Sequence, residues 1–363
     1  MLSSMAILRL TGQMRIRSSV AALMLALPAI PGAMGQLAPS PDAPPVSTAP
    51  AQPVDDAPAA TLKLDVNLVN VFFMVKAKDG TLVPHLGKDD CTVSEDKVPQ
   101  TLKSFTAETD LPLTLGILLD TSGSQYRVLQ LEQETGGRFL ERALRKKDEA
   151  FVLSFDVNVD LLQDFTNSAH QLSRALDKAE INTAGGNGAA GIPGAGGGTV
   201  PVYGTPKGTV LYDAVYLASN EKLSQETGRK AMILLTDGED EGSDHKIGEA
   251  IAAAQKSNVI VYVILIADRS VYMGTFGGYS GFSAMKKMTE ETGGRLIDVG
   301  NNGKKLDAAF QQIEDELRTQ YVATYTPLNA KLDGGFRHLE VACKGDGMKV
   351  QTRKGYYALA PEE

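Results

Sequence analysis

Three short clusters in this chain have the residue types of a cation site. Asp120-Thr121-Ser122-Gly123-Ser124 sets a carboxyl and two hydroxyls on alternate residues. Thr236-Asp237-Gly238 adds a second carboxyl, and Gly208-Thr209 adds a hydroxyl just before a helical pattern. Asp120, Ser122, Ser124, Thr209 and Asp237 form an all-oxygen donor set with neither His nor Cys in it. Such a set suits hard cations, Mg²⁺ or Mn²⁺, better than zinc. Neutral hydroxyls as inner ligands would leave much of a dication's charge uncompensated, and an open coordination position would then attract an external carboxylate. Taken alone, Asp120–Ser124 reads more readily as an N-capping turn after a strand. The metal reading depends on whether the elements around it bring Thr209 and Asp237 to the same place.

The pattern supplies those elements. Leu113–Leu119 (LTLGILL) is continuously apolar, as a parallel strand covered on both faces must be. It ends at Asp120, and Met232–Leu235, a second buried strand, runs into Thr236-Asp237. In an open α/β sheet ligands bind beyond the carboxyl ends of the strands, so both carboxylates fall on the functional rim. A helix is expected from about Arg127 to Arg145, although Gly136-Gly137 weakens it by about 2 kcal/mol relative to alanine. Phe151–Phe155, Leu161–Phe165 and Val259–Ile266 read as further strands. Helices are marked by Leu172, Ala175 and Leu176 behind a cap at Asn167, by Leu211, Ala214, Val215 and Ala218, and by Ile247, Ala250, Ile251 and Ala254. A further helix ends at Thr292, before Gly293-Gly294, and a last one is defined by Leu306, Ala309, Phe310, Ile313 and Leu317. This alternation predicts an α/β fold, a doubly wound, mainly parallel sheet with helices on both faces.

Strand patterns bracket that block. Val66–Val75, Cys91-Val93 and Leu102–Phe105 precede it, and Tyr321–Tyr325, Phe336–Cys343 and Val350–Tyr357 follow it. Neither flank has enough strands to be stable alone, which favours one β-sandwich-like module built from both ends of the chain. The expected division is a signal peptide over 1–35, a Pro/Ala-rich linker over 36–61, and the N-terminal part of the β module over 62–108. The α/β domain then covers 109–318, and the C-terminal part of the module 319–363. Arg15 and Arg17, the apolar run Val20–Ile30 and the small residues before Gln36 read as a secretory leader, too short and Pro-interrupted for a membrane span. Met14 is an alternative start. Export makes a Cys91–Cys343 bridge chemically possible, but two buried free thiols acting as small apolar residues are the favoured expectation.

Composition excludes several classes. Lys+Arg 36 against Asp+Glu 44 gives −8, and the first 35 residues carry only Arg9, Arg15 and Arg17, so the mature chain is more acidic still. That is not the footprint of a nucleic-acid binder. Two cysteines and four scattered histidines rule out a structural zinc site and an HExxH hydrolase. Gly186–Gly191 fits GxGxxG but lies in a glycine-rich tract rather than between a strand and a helix, so it reads as a loop leading into Thr209. Glu239-Asp240-Glu241 and Asp244 lack EF-hand spacing and read as a solvated acidic loop. Ser122 has no GxSxG setting, and Ser283–Lys286 stands without the other motifs of a penicillin-binding site.

Asp120-x-Ser122-x-Ser124, Thr209 and Asp237 resemble, in order and context, the metal-ion-dependent adhesion site of von Willebrand factor type A domains. The resemblance covers roughly 109–318. The flanking VNLVNVFFMVKAKDGTLVPHLGKDDCTVSEDKVPQTLKSF, TDLPLTLGILLDTSGSQ and FRHLEVACKGDGMKVQTRKGYYA resemble the acidobacterial VWFA-related family of exported proteins. Cys91 stands where that family has an aromatic residue. The resemblance implies that Ser122, Ser124 and Thr209 contact a metal, that Asp120 and Asp237 often act through water, and that a protein ligand's Asp or Glu completes the shell. The expected protein is a non-enzymatic binding or adhesion-type protein that is periplasmic, at the cell surface or secreted. Its partner is a protein and not nucleic acid; no oligomeric state is assigned. The rival readings are a metal-dependent hydrolase, for which no general base beyond the ligand carboxylates can be named, and a metal-independent envelope scaffold.

Overall fold

The computed structural model describes residues 67–108, 111–182, 208–267 and 280–360. The expected leader over 1–35, the linker over 36–61 and the glycine-rich tract up to residue 207 lie outside the described residues.

Four strands come first: β1 Val69–Lys76, β2 Cys91–Glu95, β3 Val98–Gln100 and β4 Leu102–Glu108. The α/β block follows with β5 Leu113–Asp120, α1 Leu129–Ala143, β6 Glu149–Phe155, β7 Val159–Thr166, α2 Ala169–Leu176 and α3 Leu211–Leu217. It continues through β8 Arg229–Thr236, α4 Ile247–Lys256, β9 Val259–Leu265, α5 Gly281–Thr292, β10 Leu296–Asp298 and α6 Gly303–Arg318. The chain closes with β11 Gln320–Tyr325, β12 Phe336–Cys343, β13 Lys349–Thr352 and β14 Gly355–Tyr357.

The central sheet has the order β10-β9-β8-β5-β6-β7. Its pairs are parallel except β6–β7, where Val159–Thr166 turns back antiparallel as the edge strand. Every residue of β5 and β8 is buried. Alternate side chains go to opposite faces. Leu115, Ile117, Leu119, Ile233 and Leu235 pack with Phe139, Leu176, Phe310 and Ile313 of α1, α2 and α6. Leu118, Met232 and Leu234 pack with Leu211, Val215, Ile251, Met285 and Met288 of α3, α4 and α5. The Gly136-Gly137 pair serves this packing. A Cβ on Gly137 would lie 2.7 Å from Ser173 Oγ, so the glycines let α1 approach α2 closely. The α2 cap is Ser168, whose hydroxyl accepts from Gln171 N, rather than Asn167. Among the described residues no helix is long and apolar enough to cross a membrane.

Strands from both ends of the chain interleave in two four-stranded sheets, β13-β1-β11-β4 and β14-β12-β2-β3. Val71, Phe73, Val93, Tyr321, Tyr325, Leu339, Val341 and Tyr356 fill the space between them. Val350–Tyr357 is not the single strand that its pattern predicts. Lys349–Thr352 pairs with β1, and Gly355–Tyr357 pairs with β12 of the other sheet. The chain changes sheets at Arg353-Lys354, where Lys354 N donates to Glu291 O and the Arg353 guanidinium to Asn258 Oδ1 at 2.7 Å. Where the chain passes between module and α/β block, the buried Arg229 clamps both crossings. Its guanidinium donates to Leu317 O at 2.6 Å and to Leu111 O at 2.7 Å.

The two cysteines are bonded to each other, which overturns the expectation of free thiols. The reason is register: Cys343 on β12 stands directly opposite Cys91 on β2, a pairing that neither strand pattern specifies by itself. The bridge joins residues 252 positions apart. Loss of such a closure is expected to cost about 2–5 kcal/mol. Cys343→Ser, or reduction of the native protein, should therefore move the urea midpoint down. A midpoint insensitive to both would show that the bridge is not formed in the folded protein.

Candidate metal centre

From β5 the chain passes through α1 to β6 and β7 on one side, then returns to place β8, β9 and β10 on the other. The strand order therefore reverses between β5 and β8, where an open sheet leaves a crevice at its carboxyl edge. Asp120 closes β5 and Thr236 closes β8. The parallel register pairs Leu119 with Leu235, so these polar residues emerge side by side.

Asp120 is fully buried. Its Oδ2 accepts from Thr236 Oγ1 at 2.6 Å and its Oδ1 from Ser122 N at 3.0 Å. Asp237, the next residue after Thr236, is 3% exposed. Burial first, and then the negative charge of Asp237, push the Asp120 carboxyl up to about 7, against the opposing pull of the Ser122 and Thr236 hydrogen bonds. Gly238 fixes the turn beyond Asp237. Its φ is +85°, its N–H donates to Thr236 Oγ1, and a Cβ there would lie 2.8 Å from Met285 Cγ.

Ser122 occupies the N-cap position of a 3-10 turn, Gly123–Arg127, that precedes α1. It makes no capping bond; its hydroxyl lies 3.0 Å from that of Ser124 instead. The capping alternative therefore describes the backbone of Asp120–Ser124 but not the use of its hydroxyls. Ser122 is buried and Ser124 is exposed, so the pair runs from the carboxylates outward to solvent. Thr209, also buried, is fixed through its backbone: Glu241 N donates to Thr209 O, and Val210 N donates to Asp156 O at 2.7 Å. Asp156 follows β6 and accepts from Thr121 Oγ1 at 3.0 Å, which ties the Thr209 segment to the residue after Asp120.

The acidic loop after Asp237 is solvated at Glu241 and Asp244, as expected, but two of its carboxylates are also engaged by the fold. Glu239 accepts from Ser280 N and Gly281 N, at 2.7 and 2.9 Å, where α5 begins. Asp240 accepts from Tyr212 N in the first turn of α3 and from Ser243 Oγ. These carboxylates cap helices to which they do not belong, so spacing along the chain carries no sign of the role. Three further residues enter the site's surroundings without having been singled out. Tyr126, two residues past Ser124, is 74% exposed. Gln125 is buried, with Oε1 unpartnered and Nε2 facing Ser124 Oγ at 3.5 Å. Glu132 is buried on α1. Its signal was present: Leu129, Glu132, Gly136, Phe139 and Leu140 share the core-facing spacing of α1, and an acid there departs from the apolar pattern.

Among the described residues no three His, Cys, Asp or Glu side chains are grouped closely enough to hold a metal by themselves. A cation here must draw on hydroxyls, and the residues present fit that demand. They comprise two adjacent buried carboxyls whose mutual repulsion a dication would relieve, with serine hydroxyls leading outward, oxygen throughout. The electrostatics carry a pH signature. The unfolded Asp120 titrates near 3.8 and the folded one near 7, so its stabilising contribution is complete below about pH 4 and is lost as pH rises through about 7. In EDTA, unfolding free energy is expected to fall over that window by up to about 1.4 kcal/mol per pH unit. Asp120→Asn should flatten the profile; urea titrations across pH check it, and an unchanged slope in that variant contradicts it.

No protein-family model matches this chain, and neither does any curated protein. Among solved structures it is similar to the conserved hypothetical protein BatB from Bacteroides thetaiotaomicron, at 17% identity and a TM-score of 0.42, over 57% of this chain and 99% of that one. It is similar to von Willebrand factor type A from Catenulispora acidiphila at 11% identity and a TM-score of 0.43, over 81% and 74% of the two chains. Proximal thread matrix protein 1 from the mussel byssus, with a zinc-occupied MIDAS motif, gives 16% identity and a TM-score of 0.44, over 62% of this chain and 50% of that one. By its own strand order and its two helical faces, the α/β block of this chain is a doubly wound, mainly parallel α/β domain with a carboxyl and hydroxyl rim at its strand-order reversal.

Proposed function

We propose that this is an exported binding protein whose type A-like domain holds a divalent cation, Mg²⁺ or Mn²⁺, and captures a protein ligand through an Asp or Glu side chain. The observation that carries the reading is the buried Asp120 set against Asp237 at the strand-order reversal, with the Ser122 and Ser124 hydroxyls leading to the surface. Ser122, Ser124 and Thr209 would offer hydroxyl oxygens to the cation, while Asp120 and Asp237 balance its charge from below. A dication held mainly by neutral hydroxyls supplies an electrophilic open position for an anionic oxygen. Thr236 and the Ser122 N–H keep the Asp120 carboxylate oriented, and the backbone bonds of Thr209 hold its segment beside the end of β6. Tyr126, two residues past Ser124, offers an exposed aromatic surface, the kind of side chain on which protein interfaces concentrate binding energy. Export is supported by the leader-like run Val20–Ile30 and by the Cys91–Cys343 bridge, which belongs to an oxidising compartment.

Calorimetry with Mg²⁺ and Mn²⁺ tests the centre. Asp120→Ala and Asp237→Ala should each lower affinity by more than the roughly 10–100-fold expected for an outer partner, with the circular dichroism of the domain retained. Affinity unchanged in both variants rejects the centre. Capture of proteins from envelope extract should require metal and be reversed by EDTA. Thr209→Ala should weaken it, and Tyr126→Ala should weaken it by about 1–2 kcal/mol without altering metal affinity. Binding that persists in EDTA supports the metal-independent scaffold instead, and metal-dependent turnover of a hydrolysable substrate supports the hydrolase.

A further inference from the structure

Glu132 lies in the first turns of α1, the helix that leaves the Asp120–Ser124 segment. It is 1% exposed, and neither of its carboxyl oxygens has a hydrogen-bond partner. A buried carboxyl without partners is costly, and nothing in the packing of α1 requires one at this position. An apolar residue would continue the stripe made by Leu129, Phe139 and Leu140. Its surroundings are acidic: burial first, then the charges of Asp120 and Asp237, hold the Glu132 carboxyl well above the ordinary glutamate range. A third acid therefore sits within electrostatic reach of the pair at the rim. Beside the same segment, the buried Gln125 also leaves Oε1 unpartnered while its amide faces Ser124. Three orphaned acceptor oxygens are thus gathered around Asp120–Ser124, although the described residues satisfy the neighbouring acids Asp156, Glu239 and Asp240 with N–H donors.

Acceptors in excess call for donors or positive charge from outside the chain. A hydrated dication provides both. Resting on the reading of the rim as a metal centre, we propose that Glu132 is an outer, third acidic member of that centre, a positioning residue that accepts hydrogen bonds from cation-bound water beneath Asp120 and Asp237 and so tightens divalent-cation binding. Glu132 is not an inner ligand: no three acidic side chains among the described residues are grouped tightly enough to hold a metal together. Its place is that of an outer-shell partner, whose loss typically lowers metal affinity 10–100-fold.

The test uses the full chain and its Glu132→Gln and Glu132→Leu variants. Calorimetry with Mg²⁺ and with Mn²⁺ is combined with thermal melts in EDTA. Both variants should lose roughly 10–100-fold in metal affinity. Their melting temperatures without metal should equal or exceed that of the unmodified protein, because an unpartnered buried carboxyl has been removed. Metal affinity unchanged in the folded variants overturns the proposal and leaves the centre itself standing. Metal-free melting temperatures that fall in both variants overturn it in favour of a purely structural role. Absence of metal binding by the unmodified protein removes the centre and the proposal together.

Discussion

The hydrogen bond from Thr236 Oγ1 to Asp120 Oδ2 joins the ends of β8 and β5 at the point where strand order reverses, and the architecture of the rim depends on it. It lies at the carboxyl edge of a sheet whose central strands are buried along their whole length. A carboxylate in such a place is expensive unless its charge is matched. Two hydrogen bonds offset part of that cost, and Asp237 adds to it. The same geometry that disfavours the ionised Asp120 in isolation makes a cation welcome, since one positive centre relieves burial and repulsion together.

Around that pair the loops are held by carboxylates bound to backbone N–H groups. Asp156 gathers Asn158 N, Asn182 Nδ2 and Thr121 Oγ1. Asp213 takes the N–H groups of Asp244 and His245, along with the His245 ring, which stacks on Tyr216. Glu239 and Asp240 cap α5 and α3. Charge-assisted bonds of this kind are the stronger ones available to a loop, and those of Glu239 and Asp240 link the loop after β8 to the starts of two different helices. Much of the acidic character of this edge is therefore spent on loop geometry. That distinguishes these carboxylates from Asp120 and Glu132, whose charge the surrounding protein opposes.

The β module is bound to the α/β block through buried contacts, apolar and polar. Phe72, Met74 and Lys76 of β1 are buried on the side opposite Val71, Phe73 and Val75, and Met74 joins the core beneath α1 and α6. Lys76 Nζ meets Glu316 Oε1 of α6 at 2.6 Å, and Arg295 reaches the same carboxylate at 3.1 Å. Burial draws Lys76 below the ordinary lysine range in spite of that partner. Such a pair is weak as a source of stability, but removing Glu316 would strand the buried Lys76 charge. Together with Arg229, which holds both chain crossings, it fixes where the block emerges from the module. Inside the module, Tyr325 and Tyr356 both donate to the buried Glu95, which links the two sheets.

Local pattern was sufficient for what depends on neighbours along the chain. The unbroken apolar run before Asp120 identifies a strand buried on both faces, and two such runs ending in Asp120 and Asp237 identify a carboxyl rim. The i, i+3, i+4 spacing at Leu211–Ala218 and Leu306–Leu317 identifies the covering helices. What depends on register or on contacts across the fold was not legible. Cys91 faces Cys343 because β2 and β12 pair in one register out of several that their alternation permits. Val350–Tyr357 breaks into two strands because Arg353 and Lys354 find partners on Asn258 and Glu291, distant in sequence. Glu239 and Asp240 look solvated in a linear reading because the N–H groups they cap lie on helices that only the fold brings near. Glu132 was visible as an acid on an apolar stripe, but its proximity to Asp120 and Asp237 is a property of α1 packing behind β5. Side-chain type and period are encoded within a few residues, whereas the electrostatic potential at a buried oxygen sums over everything the chain folds around it.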